Sequence, residues 1–384
     1  MKGKEWHAAF VPKDAPQETE GIPAVTLQAG EQWLDVYRAA AEEGVIVVGG
    51  SAQTVGAAGG YLTGGGHSAF SHFYGLAVDN LLEVNLVDAK GERRTLNQYT
   101  DPEYFYALRG GGGCAWGIIT SVTYKTHPNP SHIQVGFLQF NVTNNSTLRA
   151  VLEKSLRGLV SVTDAGYTGY GIINTSDEPL GFNAIFIQPN GTNATFNTAF
   201  KPYYDISTMQ GVSGLVANAE FPSWIEYSKY FLRDPNIATN IIEASRLLTQ
   251  EVLLHRTGDL VDLAFEYPSP GPGFSFIGKV DATERDNTAA HSIWKESRAL
   301  LGWSANWTDD APVDEKRKAK LDLVEISRRL GEIVGPEGGS YEPDWKNVFW
   351  GDKYDRLLAT KRRVDPTNLF VCNRCVGTDI ILEP

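Results

Sequence analysis

The feature that most constrains this chain is the stretch from Gly49 to Gly66, which holds Gly49, Gly50, Gly56, Gly59, Gly60, Gly64, Gly65 and Gly66. Glycine at that density cannot sustain a regular helix or strand. It supplies positive φ angles and lets a backbone approach a ligand closely. What precedes it is regular. Ala24 to Leu27 reads as a short strand, and Gln32 to Glu42 carries Trp33, Leu34, Val36, Tyr37 and Ala40 at helical spacing. Gly44 stops that helix, and Val45 to Val48 fits a buried strand. The spacing predicts a β-α-β unit that opens directly into the glycine run. A second run, Gly110 to Gly113, leads into Ala115 to Tyr124, which alternates like a strand. Two such loops flanked by strands suggest a cofactor cradle, and tight turns in a β-rich core explain them equally well. Neither is a Walker loop, since no Gly-Lys-Ser/Thr follows. Neither is the doubly wound dinucleotide fingerprint, since the run opens no clear helix.

Further along, Leu81 to Val87 and Arg93 to Leu96 read as a hairpin turning at Ala89 to Glu92. Pro102 suits the first turn of a helix ending near Arg109. The breaker His127-Pro128-Asn129-Pro130 marks a domain boundary. Beyond it, strands at Ile133 to Phe140 and Phe182 to Ile187 mix with helices at Leu148 to Val160, Thr288 to Leu301 and Val313 to Val334. The last of these is expected to bury Leu321, Val324, Leu330 and Ile333. A final helix near Asp352 to Arg363 is stopped by Asp365-Pro366. The division expected is 1–128, 129–337 and 338–384.

The chain has 384 residues, enough for about two to three domain-sized units, and a formal net charge of -12. That balance disfavours nucleic acid or an anionic membrane surface as partner, because both need clustered Lys and Arg. No run of apolar residues is long enough to suggest a membrane-spanning helix. An anionic cofactor is compatible with the charge, because backbone N–H groups can hold phosphates. The cysteines are Cys114, Cys372 and Cys375. The Cys-x-x-Cys pair lies in a tail with no second pair to complete a zinc site, which leaves a structural role such as a local disulfide ahead of metal or redox use. Sequons start at Asn141, Asn144, Asn145, Asn174, Asn190, Asn193 and Asn306. They fit a glycosylated, secreted protein or chance in an Asn- and Thr-rich chain. The opening Met1 to Trp6 has no apolar signal core.

The glycine segments carry a resemblance. Gly49-Gly50-Ser51-Ala52-Gln53-Thr54-Val55-Gly56, Gly59 to Ser68 and Tyr74-Gly75-Leu76-Ala77-Val78-Asp79-Asn80 resemble the FAD-binding PCMH-type domain of vanillyl-alcohol-oxidase and berberine-bridge-enzyme-like oxidoreductases. Arg109 to Gly113 with Trp116-Gly117-Ile118-Ile119-Thr120 is similar to that domain's second flavin loop. Trp350 to Leu357, Lys361 and Asp365 to Phe370 are similar to the family's C-terminal signature. The resemblance implies an α+β fold: a split, partial FAD domain, and a substrate domain with an antiparallel sheet backed by helices. It implies FAD as cofactor. Thr54, Val55, Gly56, Gly60, Gly64, Gly66, His67 and Ser68 would line pyrophosphate and flavin. Leu76 and Asp79 would lie toward the adenosine half, and Gly117, Ile118 and Ile119 would make backbone contacts.

The chain departs from the family pattern in three places. It begins downstream of the family's first subdomain, with its flavin-attaching histidine, so a truncated or genuinely shortened protein is expected. Ala52 stands where bicovalent members have cysteine, which excludes a cysteinyl–flavin bond there. Gly338-Gly339-Ser340-Tyr341 runs into Glu342-Pro343 without the family's Asn. Tyr341 is the candidate base, with a packed tyrosine at the domain junction as the equal alternative. For His67 a packed or hydrogen-bonded ring is the alternative to direct catalysis. The expected activity is oxidation of an alcohol, carbohydrate or phenol by hydride transfer to flavin, with a small-molecule substrate and oxygen or another acceptor as partners. The alternatives are a non-catalytic remnant and a secreted, cofactor-free glycan-binding module.

Overall fold

The computed structural model describes residues 2–176, 179–232, 240–268, 271–278, 280, 287–335 and 344–378. Strands β1 (Lys4–Phe10), β2 (Ile22–Gln28), β3 (Val45–Ile46), β4 (Leu81–Val87), β5 (Arg93–Leu96), β6 (Ile118–Lys125) and β7 (His127–Pro128) come first. Then follow β8 (Ile133–Val142), β9 (Thr168–Asn174), β10 (Leu180–Pro189), β11 (Val212–Phe221), β12 (Asn240–Thr249), β13 (Gly273–Phe276) and β14 (Ser297–Trp307). They form a five-stranded sheet in the order β1-β2-β6-β4-β5, a seven-stranded sheet in the order β11-β8-β10-β9-β13-β14-β12, and a two-stranded β3-β7 ladder. Every pairing is antiparallel.

The seven-stranded sheet uses its two faces differently. Successive side chains alternate between them. Leu138, Phe140, Phe182, Phe274, Leu301 and Trp303 go to one side, into a core with Leu148, Leu152 and Leu156 of the helix Asn145–Asp164 and Leu323, Ile326 and Leu330 of the helix Val313–Val334. The opposite face turns toward the glycine loops. At its near end Ile133, Val135 and Ile187 join the core of the first sheet. At its far end Ile172 is 57% and Leu215 49% exposed.

Several sequence expectations need correction. Val45 to Val48 forms only the two-residue β3, which pairs with His127-Pro128 rather than beside β2. There is thus no β-α-β unit; the breaker His127-Pro128-Asn129-Pro130 does end β6, and its first two residues add a short bridge to β3. Val47 and Val48 are buried without a ladder because the chain is already turning into the glycine loop, where the Tyr37 hydroxyl donates to the Gly50 carbonyl at 2.6 Å. The predicted helix at Thr288 to Leu301 is a short 3-10 turn, Ser292–Lys295, followed by β14. Ala299, Leu301 and Trp303 are buried at a two-residue period, and pairing with β12 and β13 outweighs local helix preference. In the helix Val313–Val334 the inner stripe is Leu323, Ile326 and Leu330, while Leu321 is 58% exposed.

The C-terminal segment packs back onto the first sheet. Its anchor is the buried pair Lys361–Asp365, 2.6 Å apart. The Lys361 ammonium also donates to the carbonyls of Ala115 at 2.8 Å and Phe370 at 2.6 Å. Burial alone would raise the Asp365 carboxyl, but Lys361 and the backbone N–H groups of Phe370 and Leu369 hold it below its usual value. Lys361→Met strands a buried carboxylate. It should cost about 3–5 kcal/mol in chemical denaturation, and the double change Lys361→Met with Asp365→Leu should cost less than the single one. A single-variant loss below about 1 kcal/mol would show that the pair does not anchor this segment.

Candidate active site

The two glycine runs meet in space. The Gly112 N–H donates to the Thr63 carbonyl at 2.9 Å, and Trp350 Nε1 donates to the Gly110 carbonyl at 2.9 Å. The Ala289 N–H reaches the Arg109 carbonyl at 2.9 Å. Lys353, buried, donates to the carbonyls of Thr288 at 2.9 Å and Ala290 at 2.8 Å. Both loops, the residues before β14 and the C-terminal helices thus form one wall.

The glycines in that wall fall into two groups. Some are glycine because protein packs on them: a Cβ on Gly66 (φ +76°) would lie 2.4 Å from the Ala77 Cβ, and one on Gly110 (φ +109°) 2.3 Å from the Ala290 nitrogen. Others are not explained by packing. A Cβ on Gly59 or Gly60 would meet nothing within 4 Å, and on Gly56 only the Glu31 carbonyl at 4.0 Å. Open space over consecutive glycines suits a flat, anionic cofactor that needs close backbone approach. A cavity of about 290 Å³ continues from here, bounded by Gly64, Gly110, Gly112, His291, Trp350 and, from the seven-stranded sheet, Ser245.

His67 adds a second sign. Burial lowers its pKa to about 4, against the opposing effect of a hydrogen bond to the Phe276 backbone. Its Nε2 is shut from solvent and has no hydrogen-bond partner among the described residues. The neutral ring therefore presents an unsatisfied acceptor, a costly arrangement unless a ligand group donates to it. The residues present fit a flavin.

The sequence-predicted residues divide as follows. Thr54, Gly56, Gly60 and Gly64 are exposed along the cradle, with Val55 half-buried beside them. Gly66 and Ser68 are buried under it, Ser68 with its hydroxyl accepting from the Phe70 N–H at 3.2 Å. Leu76 is buried, and its N–H donates to Asp79, which also faces Lys295 at 3.3 Å. Ile118 is 62% exposed at the start of β6, next to half-buried Gly117 and Ile119. Tyr341 lies outside the described residues. Cys372 and Cys375 are disulfide-bonded, with both sulfurs near the Gly113 carbonyl at 3.6 and 3.5 Å. Among the described residues no cluster could hold a metal ion, and no helix is long and apolar enough to cross a membrane.

Sequence reasoning missed Tyr170. It projects from β9 and is joined by a hydrogen bond to Ser51 in the first glycine loop; burial raises its pKa, with Ser51 opposing. Beside it a cleft of about 460 Å³ is lined by Phe137, Gln139, Ile172, Asn183, Ile185 and Leu215 among others. Strand alternation would have put these side chains on one face. Which face looks at the cradle is a tertiary fact.

An open glycine cradle that suits a flavin, beside an apolar cleft on one sheet face, is the arrangement of a flavoprotein. Residues 22–97 match the family described as FAD binding domain, and 315–376 that described as berberine and berberine like. An FAD-linked oxidoreductase of Arthroderma benhamiae is 62% identical over 392 residues, covering 100% of this chain and 69% of that protein. FAD-linked oxidoreductase ZEB1 of Gibberella zeae is 32% identical, over 93% of this chain and 64% of its own length. The VAO-type flavoprotein MtVAO713 from Myceliophthora thermophila has the same fold, with a TM-score of 0.86 at 23% identity, covering 98% of this chain and 70% of that one. A variant of berberine bridge enzyme in complex with (S)-reticuline gives 0.70 at 19% identity over 92% of this chain and 76% of its own. The chain belongs to the FAD-linked oxidoreductases of the vanillyl-alcohol-oxidase and berberine-bridge-enzyme family, and its cofactor is FAD.

The glycine division gives a prediction. Gly60→Val should leave apo-protein stability within about 1 kcal/mol but weaken FAD binding at least about tenfold, whereas Gly66→Ala should lower the Tm of the apo-protein itself. Equal effects of both on apo stability would remove the distinction. A second concerns pH. Burial also lowers His127 to about 4, Lys125 adding to the effect. Both histidines take up protons on unfolding and resist them when folded. Stability should therefore fall as pH drops from about 6.5 toward 4, and His127→Gln should flatten that fall in Tm measured against pH.

Proposed function

We propose that this chain oxidises a small alcohol or phenol with an apolar body, bound between the open face of the seven-stranded sheet and the glycine cradle. The observation that carries the reading is the cleft beside Tyr170. Phe137, Ile172, Ile185 and Leu215 line it, it has no charged side chain among its described lining, and it reaches the cradle through the Tyr170–Ser51 hydrogen bond. An apolar lining favours a phenolic or hydrocarbon alcohol over a carbohydrate, whose many hydroxyls would lose water without new partners. Bound FAD supplies the acceptor for a hydride from the substrate carbon, and oxygen or another oxidant regenerates it.

The chain's own residues bind and orient. The sheet face holds the substrate's apolar body and excludes water from it. Tyr170 stays protonated, because burial raises its pKa, and so donates a hydrogen bond rather than taking a proton. Tyr341 is the base in this reading, on the strength of the sequence resemblance alone. Secretion belongs to the same proposal and is supported by exposed sequon residues such as Asn145 and Asn306.

The test is anaerobic mixing of the FAD-loaded protein with aryl alcohols and with monosaccharides, followed by visible absorbance. Bleaching by the aryl alcohols, slowed at least about a hundredfold in Tyr341→Phe, is the expected result. Bleaching by sugars alone would overturn the substrate class. Full speed in Tyr341→Phe would remove that residue as base.

A further inference from the structure

One row of the cleft does not match its surroundings. Gln139 on β8 and Asn183 on β10 are directly opposite each other in register. Outside them in the same row stand Leu215 on β11 and Ile172 on β9, both well exposed. Two residues nearer the cradle, on the same face, the row is Phe137, Ile185 and Tyr170. Two primary amides thus sit side by side within an apolar surface. Neither side chain bonds to another described residue; Gln139 is exposed to solvent and Asn183 is half-buried. Cross-strand neighbours of this kind lie about 5 Å apart at Cβ, so both amides can reach one group.

The reach is informative. Same-face rows along a strand are separated by two residues, roughly 7 Å. That is about the length of one para-substituted six-membered ring, counted from the Tyr170 row, where the sheet meets the first glycine loop, to the amide row. The charge is informative too. No Lys or Arg lines the cleft among the described residues, so a carboxylate there would be partly desolvated without a counter-ion. Each amide offers both a donor and an acceptor, which suits a neutral hydroxyl or carbonyl group.

We propose that Gln139 and Asn183 are specificity-determining residues, a paired-amide reader for a neutral hydroxyl or carbonyl group on the substrate end remote from the reacting carbon. This rests on the preceding reading that the cleft holds the substrate. A substrate with that group is bound in one orientation, its apolar ring over Ile172 and Ile185 and its oxidisable end toward the cradle. A substrate without it leaves two amides facing hydrocarbon, and a substrate with a carboxylate meets no cation.

The experiment is equilibrium dialysis of the anaerobic, FAD-loaded protein against benzyl alcohol, 3,4-dihydroxybenzyl alcohol and 4-(hydroxymethyl)benzoate. The wild-type protein is compared with Gln139→Met/Asn183→Leu and with Asn183→Lys. Both positions are open to the cleft, and the unperturbed flavin spectrum of each variant reports an intact cradle. The wild-type protein should bind the dihydroxy probe about tenfold more tightly than benzyl alcohol, a factor that should fall to about twofold or less in the double variant. Asn183→Lys should shift preference toward the carboxylate probe. An unchanged ratio in the double variant, or no preference in the wild-type protein, overturns the amide assignment while leaving oxidation of aryl alcohols intact. Failure of all three probes to bind, with bleaching by sugars alone, overturns both together.

Discussion

The Lys361–Asp365 pair holds together two parts of the chain that the sequence separates widely. Its ammonium has three protons and three acceptors: the Asp365 carboxylate and the carbonyls of Ala115 and Phe370. No donor is left over, which is the condition under which a buried charge is tolerated. Ala115 follows the second glycine run, and Phe370 precedes the Cys372–Cys375 disulfide that touches Gly113. One buried cation therefore fixes where the C-terminal segment lies and where the second loop turns. Trp350 and Lys353, on the helices that lead to it, then reach Gly110 and Ala290. Without that anchor the cradle would lose one of its walls.

The local elements of this fold were legible because they follow from spacing. The helix Trp33–Glu42 stands where its apolar period places it, and Pro102 opens a helix as a first-turn proline should. The helix Val313–Val334 has the expected bounds, though of the stripe its apolar period pointed to only Leu330 is buried. What failed depended on distant partners. Val45 to Val48 reads as a strand beside β2 until His127-Pro128 takes Val45-Ile46 as its partner. The segment Ser297–Trp307 carries alanine and leucine that suit a helix, and only β12 and β13 on either side make it a strand. For the site, the glycine runs showed where a cofactor could lie but not which glycines face it. Gly60 and Gly66 look alike in the sequence, and only the neighbours Ala77 and Tyr61 separate a packed glycine from an open one. Tyr170, His291 and Ser245 carry no motif at all. They enter because β9, β12 and the loop before the turn Ser292–Lys295 converge on the glycine runs.

The two faces of the seven-stranded sheet show how one element serves stability and chemistry without conflict. The helix-covered face is filled with large side chains such as Phe140, Phe182 and Trp303, and it holds the sheet in place. The opposite face can then be left partly bare. Exposed Ile172 and Leu215 would be a liability on a free surface. In the proposed reading they become the far wall of the substrate cleft that continues from the glycine cradle. The same division accounts for the Gln139 and Asn183 amides, which bond to no other described residue. On the packed face, Gln139 and Asn183 would each need an internal partner. On the cleft face they need none of their own, and their donors and acceptors stay available to a molecule that enters. Specificity in such a site can change by substitution along a single strand row while the core behind it, and the cofactor in front of it, stay the same.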